Sequence, residues 1–260
     1  MNAHQPLSAV GQAALSIARD GWPVFPCDHR LDLPGNKRCK KPLTAHGFKD
    51  ATFDPIQIET WWRQHPEALI GVPTGLQLGA WVLDLDLDPE KGLDGPAEFR
   101  RLEVEHGKLK ATIEARTPRG GRHLLLKWDA NRPVTNSSGR LPPGIDLRGE
   151  GGYIIVAPSV REDGADYRWE NPPGFFEPIS APDWLYRLIF PKPEPKDAAE
   201  GGHGLGTRTA GSREAKYARA ALDGAAHEVA TAQSGSRNKT LNGCAYRLGR
   251  MIVRGWLERG

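Results

Sequence analysis

Trp81-Val82-Leu83-Asp84-Leu85-Asp86-Leu87-Asp88 alternates apolar and acidic residues with a period of two. Successive side chains of an extended strand point to opposite faces. The stretch therefore predicts a β-strand with Leu83, Leu85 and Leu87 turned into a core and Asp84, Asp86 and Asp88 on the other face. Three carboxylates on one face repel one another, which is tolerable in water or beside a divalent cation. On these residues alone a solvated acidic face and a metal site are both open.

The flanking segments predict what this strand packs with. Upstream, residues 7–19 place Val10, Ala13, Ala14 and Ile17 at helical spacing, with Gly21 positioned to end the helix. Trp22-Pro23-Val24-Phe25-Pro26 reads as a short strand limited by its prolines. Asp54-Pro55 is a helix start, an acid at the cap and Pro at the first helical position. Ile58, Trp61 and Trp62 then share a face before Pro66. Leu69-Ile70-Gly71-Val72 predicts a strand that leads through Pro73-Thr74-Gly75 to the acidic one. Downstream, residues 96–106 predict a helix with Phe99 and Leu102 inward. A strand at 110–116, with Ala111, Ile113 and Ala115 on one face, turns at Thr117-Pro118-Arg119-Gly120-Gly121 and returns over 122–128. That return puts His123, Leu125 and Lys127 on one side and Leu124, Leu126 and Trp128 on the other. Strands at 145–148 and 153–157 follow, joined by a Gly-rich turn at 149–152. The order predicts an α+β fold with a largely antiparallel sheet.

The 260 residues are enough for one sizeable core and a smaller second unit. A Pro/Gly-rich linker over 191–212 separates residues 1–190 from a helical module at 213–260. The net charge of +3 is uneven. Residues 201–260 carry ten Lys/Arg against four Asp/Glu, which leaves 25 against 28 in the first 200. A mildly acidic body with a basic tail suits a metal site in the one and a polyanion partner for the other. No apolar run approaches a membrane span, no signal-peptide pattern opens the chain, and three cysteines predict a reducing, cytoplasmic setting. Cys27, His29, Cys39 and His46 match no common four-ligand spacing, so structural Zn²⁺ is not expected. The basic run Lys37-Arg38-Cys39-Lys40-Lys41 suits either phosphate or solvent, and we read it as solvated.

Asp146 is the third acid of interest, since it stands at the start of an otherwise apolar strand, where an unpartnered carboxylate is costly. A pair of carboxylates on one strand and a third on a neighbour is a natural cradle for two divalent cations in phosphoryl transfer. His123, just after a Gly-Gly turn, has the chemistry to reach a phosphate beside the turn's backbone N–H groups. Three motifs, DLD (84–86), TPRGGRH (117–123) and GIDLRGEGGYIIVAPS (144–159), resemble in order and spacing those of the bifunctional primase-polymerase (Prim-Pol) domain of the archaeo-eukaryotic primase superfamily. GWPVFPC (21–27), KPLTAHGFKDAT (41–52), the paired Trp61-Trp62 and PTG (73–75) also look like that family. Residues 213–256, with SRNKTLNGCAYRLGRMI (236–252), are similar to the small helical module that often precedes a replicative helicase.

The resemblance implies an RRM-like catalytic sheet with an N-terminal α/β unit. It implies Asp84, Asp86 and Asp146 as catalytic ligands of two Mg²⁺ or Mn²⁺ ions. Thr117, Gly120, Gly121, Arg122, His123 and Arg148 would form the nucleotide site. Arg237, Lys239, Arg247 and Arg250 of the basic module would meet nucleic acid. The implied activity is template-directed synthesis and extension of primers from NTP or dNTP on single-stranded DNA, in replication of a plasmid, phage or mobile element, with a helicase fused or separate. Asp88 falls outside the usual pair and reads as a turn residue. Relatives often carry a His after the Ala157-Pro158-Ser159 position, where this chain has Val160-Arg161-Glu162. A DxD-dependent glycosyltransferase and a non-catalytic origin-binding protein are the rival readings.

Overall fold

A computed structural model describes residues 6–191 and five later positions, 222, 225, 226, 230 and 231, all helical. The chain divides into two compact units at Glu194/Pro195. The elements of the first unit run α1 (Ala9–Arg19), β1 (Phe25–Cys27), α2 (Pro55–Gln64), β2 (Leu69–Pro73), β3 (Ala80–Leu85), β4 (Leu87–Asp88), β5 (Leu93–Asp94), α3 (Gly95–His106), β6 (Glu114–Arg116), β7 (Arg122–Lys127), β8 (Ile145–Arg148), β9 (Tyr153–Val156), β10 (Arg168–Asn171) and α4 (Asp183–Ile189). The helix starts are capped as their residues suggest. Ser8 accepts from the Gly11 N–H, Asp54 from Ile56 and Asp94 from Ala97.

The strands form two larger antiparallel sheets and a small β4–β5 ribbon. The five-stranded sheet has the order β10-β6-β7-β3-β8, and the three-stranded one β1-β2-β9. The acidic stretch is thus the strand β3, flanked by β7 and β8. One face of its sheet packs Trp81, Leu83, Leu85, Leu124 and Leu147 against Phe99, Trp184 and Leu185 of α3 and α4. The other packs Val82 and Leu125 against Ile58 and Trp62 of α2 and Ile70, Val72 and Ile154 of the second sheet. Both faces are covered, so of the two readings left open for the acidic face, the fully solvated one does not describe Asp84. Asp84 shares the second face and is only 8% exposed, while Asp86, past the end of β3, is exposed.

Three further differences have physical causes. A single sheet containing β9 is the expectation, yet β9 crosses to pair with β2. The crossing is held by Thr74, whose buried hydroxyl donates to the Gly149 carbonyl at 2.7 Å while its N–H donates to Gly152 at 3.0 Å. The strand expected from Lys110 begins only at Glu114, and Ala111 is exposed rather than inward. Backbone and side-chain bonds alternate there: the Leu125 N–H donates to the Ile113 carbonyl at 3.0 Å, and the Asn171 amide donates to the Thr112 carbonyl at 3.0 Å, beside a bulge in β10. The edge strand β10 and the seven-residue α4 are short, and neither has a sequence-based expectation.

Thr74→Val keeps the shape but removes one of two donors to the Gly149 carbonyl, which keeps the Gly152 N–H at 3.0 Å. Loss of a hydrogen bond whose acceptor keeps a partner costs about 0.5–1.5 kcal/mol. The melting temperature should drop by roughly 1–6 °C for a domain of this size. An unchanged melting curve would show that the 149–152 turn does not depend on this bond.

Candidate functional site

Cross-strand register puts the chemistry together. On β3, Asp84 lies opposite His123 of β7 on one side and Asp146 of β8 on the other. Cross-strand neighbours bring Cβ atoms to about 5 Å, so residues far apart in the chain meet one carboxylate. His123 Nε2 stands 3.3 Å from Asp84 Oδ1. Arg148, two residues beyond Asp146 and so on its face, donates through Nε to Asp84 Oδ2 at 3.0 Å and through Nη2 to Asp146 Oδ2 at 3.1 Å.

Asp86 is placed by backbone rather than by the sheet. Its N–H donates to the Gly144 carbonyl at 2.7 Å, and its carbonyl accepts from Gly95 N–H at 2.8 Å. Gly95 has no room for a side chain, because a Cβ there would lie 2.1 Å from the Gly144 oxygen. The turn after β6 makes a similar approach. A Cβ on Gly121 would lie 2.4 Å from the Leu85 carbonyl oxygen, so glycine lets the turn lie against the end of β3.

Electrostatics separates the three acids. Burial raises the Asp84 carboxyl, but His123, Arg148 and Lys40 outweigh it and hold the group well below the usual carboxylate range. Asp86, exposed on one side, is pushed up first by partial desolvation in the cleft and then by the charge of Asp84. Asp146 is pushed up by burial, with Asp84 adding and Arg148 opposing. Two carboxyls that resist ionisation beside a third that is ionised make a donor set that added positive charge would relieve. The set fits a divalent cation in kind. As arranged, no three His, Cys, Asp or Glu side chains among the described residues converge on one point, because the guanidinium of Arg148 stands between Asp84 and Asp146.

Two cavities meet at this group. One, of about 310 Å³, is lined by Asp84, His123, Arg148, Asn136, Tyr153 and Tyr167 among others. The second, of about 510 Å³, takes in Asp84, Asp86, Thr117, Arg119, His123 and Arg161. Lys40 lines both, so the basic loop read as solvated reaches the site and that reading is corrected. A larger cavity of about 680 Å³ opens at the start of β3, around Leu78 and Ala80. It lies about 13 Å along the strand from Asp84 and holds none of these acids.

Other residues fall elsewhere. Arg122 alternates with His123 to the opposite face of β7, where Glu114 holds it at 2.6 and 3.0 Å, and it lines neither cavity. Gly120 and Gly121 contribute backbone only. Asp88 is taken by Lys91 at 2.7 Å and Arg119 at 3.0 Å, as befits a turn residue. Arg161, in the Val160-Arg161-Glu162 stretch after Ser159, lines the second cavity with its guanidinium on Asp163. Cys27 is buried against Phe25 and Ile155, while His29 and His46 contact Glu67 and Asp50. Arg237, Lys239, Arg247 and Arg250 lie outside the described residues. Tyr153 and Tyr167 had no sequence signal, since an aromatic in a strand or loop reads as core.

No helix of the described residues is long and apolar enough to cross a membrane. None of the curated proteins compared matches the chain. A family model described as bifunctional DNA primase/polymerase, N-terminal (Prim-Pol) matches residues 14–184.

Proposed function

The chain belongs to the bifunctional DNA primase/polymerase (Prim-Pol) family, and from that premise we propose that the cleft around Asp84 transfers nucleotides to a primer on a single-stranded DNA template. The observation that carries the reading is the register of three adjacent strands, which sets Asp84 between His123 and Asp146. In this reading a 3′-hydroxyl, or the first nucleotide's hydroxyl during priming, attacks the α-phosphorus of an incoming NTP or dNTP. The new P–O bond forms as the bond to the β-phosphate breaks, pyrophosphate leaves and the hydroxyl proton passes to solvent.

Asp84, Asp86 and Asp146 would hold two Mg²⁺ or Mn²⁺ ions, which supply charge neutralisation at the reacting phosphate and activation of the attacking oxygen. Arg148, bonded to both Asp84 and Asp146, would be available to the triphosphate where ions took up those carboxylates. His123 is suited to a phosphate oxygen. The residue is 4% exposed, Nε2 is engaged by Asp84, and Nδ1 has no hydrogen-bond partner. A buried polar atom left so is costly unless a ligand completes it. The turn at 117–121 has its Thr117 and Gly120 N–H groups engaged internally, so it would serve by lining the cavity with Thr117, Pro118 and Arg119, while the basic module at 213–260 would hold template through phosphates, hence salt-sensitively. A plasmid, phage or other mobile element is the setting this reading fits, with a helicase fused or separate.

The direct test is extension and de novo synthesis on single-stranded DNA with each nucleotide type, in Mg²⁺ and in Mn²⁺. Products whose sequence follows the template are expected, and none under any combination would sink the reading. His123→Gln should raise KM for the nucleotide by roughly 10-fold or more with a smaller change in kcat, the loss of one charge-assisted hydrogen bond. An unchanged KM would remove His123 from the phosphate site.

A further inference from the structure

The cations that line the two cavities are nearly all spoken for. Lys91 and Arg119 are paired with Asp88, Arg161 with Asp163, Arg148 with Asp84 and Asp146, and His123 contacts Asp84. Lys40 differs. Among the described residues it makes no ion pair with a carboxylate, and its ammonium stands 5.9 Å from the centroid of the Tyr167 ring. It is also, with His123, one of the two basic side chains common to both cavities.

Its backbone is fixed for the purpose. Lys40 is the non-glycine residue with positive φ among those described, at +65°, a conformation that residues with a Cβ adopt uncommonly. Three bonds hold it there. The Lys40 N–H donates to the Asp28 carbonyl at 2.9 Å, the Asp28 N–H donates to the Lys41 carbonyl at 2.8 Å, and the Tyr153 hydroxyl donates to the Lys40 carbonyl at 3.1 Å. Tyr153 is itself packed edge-on against Phe25 at 5.4 Å. Strain kept by surrounding bonds at a cleft is an observation from which function can be inferred. Burial works against the ammonium, but the Tyr167 phenol and Asp84 outweigh it and keep its pKa above the ordinary lysine value. The group stays charged at neutral pH.

We propose that Lys40 is a phosphate-binding residue, the cation that the loop 28–41 delivers to the triphosphate of the incoming nucleotide. The assignment rests on the nucleotidyl-transfer reading for the identity of the ligand. Its physical basis is independent of it: a positioned ammonium without a carboxylate partner, in a cleft whose other cations are already neutralised by protein carboxylates. A triphosphate brings the anionic charge that Lys40 lacks, and Asp84 alone does not supply it within ion-pair distance.

The experiment is calorimetric titration of the full chain with inorganic tripolyphosphate, dATP and dAMP, in EDTA so that no cation bridges the phosphates. Lys40→Ala should weaken tripolyphosphate and dATP by roughly 10- to 100-fold, the loss of a charge-assisted contact, and leave dAMP within about 2-fold. Lys40→Gly should show the same loss while accommodating the positive φ, with no fall in melting temperature, which separates lost binding from lost folding. Lys40→Arg, which keeps the charge, should restore most of the affinity. Tripolyphosphate binding unchanged in Lys40→Ala, or Lys40→Arg as weak as Lys40→Ala, overturns the assignment. Tripolyphosphate bound through Lys40 by a chain that extends no primer overturns the polymerase reading and leaves the assignment of Lys40 standing.

Discussion

Primer extension by Asp84→Asn should fall by about 10³-fold or more, the rate equivalent of about 4 kcal/mol, while binding of single-stranded template changes little. The substitution keeps the shape of the side chain and removes the charge on which three groups depend. His123 Nε2, Arg148 and, at longer range, Lys40 are all drawn to this carboxylate. Asparagine can still accept one hydrogen bond, but it cannot neutralise a guanidinium or hold a divalent cation as a carboxylate does. The same change has a stability signature that needs no activity. Asp84 has a depressed folded-state pKa, so its contribution is present above the unfolded carboxylate value of about 4 and is lost as the pH falls through the lower folded value. In EDTA, wild type should therefore be more stable than Asp84→Asn at neutral pH, by about 3 kcal/mol as for a broken buried pair, and the gap should close in strong acid. Retained extension would remove Asp84 from the chemistry, and a pH-independent gap would show that its charge does not support the fold.

Gly95→Ala sets two effects against each other. Gly95 opens α3, and alanine is the better helix former by about 1 kcal/mol. The added Cβ, however, would lie 2.1 Å from the Gly144 oxygen and 2.9 Å from the Asp86 nitrogen, both backbone atoms with no flexible end to move. Overpacking of this kind costs about 1–3 kcal/mol and at times more, so the clash wins and the protein is destabilised. The activity effect should be larger than the stability effect suggests. Relief of the clash must part α3 from the 142–144 turn, and Asp86 hangs on hydrogen bonds to both Gly95 and Gly144. A displacement of about 1 Å in a reacting constellation can cost about 100-fold in rate. Extension slower by about that factor, by folded protein at a temperature well below its melting point, is the expected result. Wild-type rates in the variant would mean that the position of Asp86 does not matter.

Much of the frame is legible in the chain itself. Asp54-Pro55 announces α2, the period-two alternation announces β3, and the glycines at 120 and 121 announce the turn before β7. These signals are local: a cap, a periodicity and a backbone conformation are written in neighbouring residues. The members of the site are legible too, since Asp146 breaks an apolar strand start and His123 follows a Gly-Gly turn.

What the chain alone determined, then, is which residues share a face and which segments can turn. Only the tertiary structure decided that the second sheet covers the face of Asp84, that β9 leaves β8 for β2, and that Arg148 lies between two carboxylates. Only the tertiary structure also decided that Arg122 turns away to Glu114 while Lys40 turns in. The physical reason is the same throughout. Burial, ion pairing and cavity lining are set by contacts between residues tens of positions apart, such as Tyr153 with Lys40 or Thr74 with Gly149. No periodicity encodes those contacts. The stretch at 81–88 names three acids, and the packing around it makes Asp84 buried and ionised, Asp86 exposed and held by backbone, and Asp88 a turn residue paired with lysine and arginine.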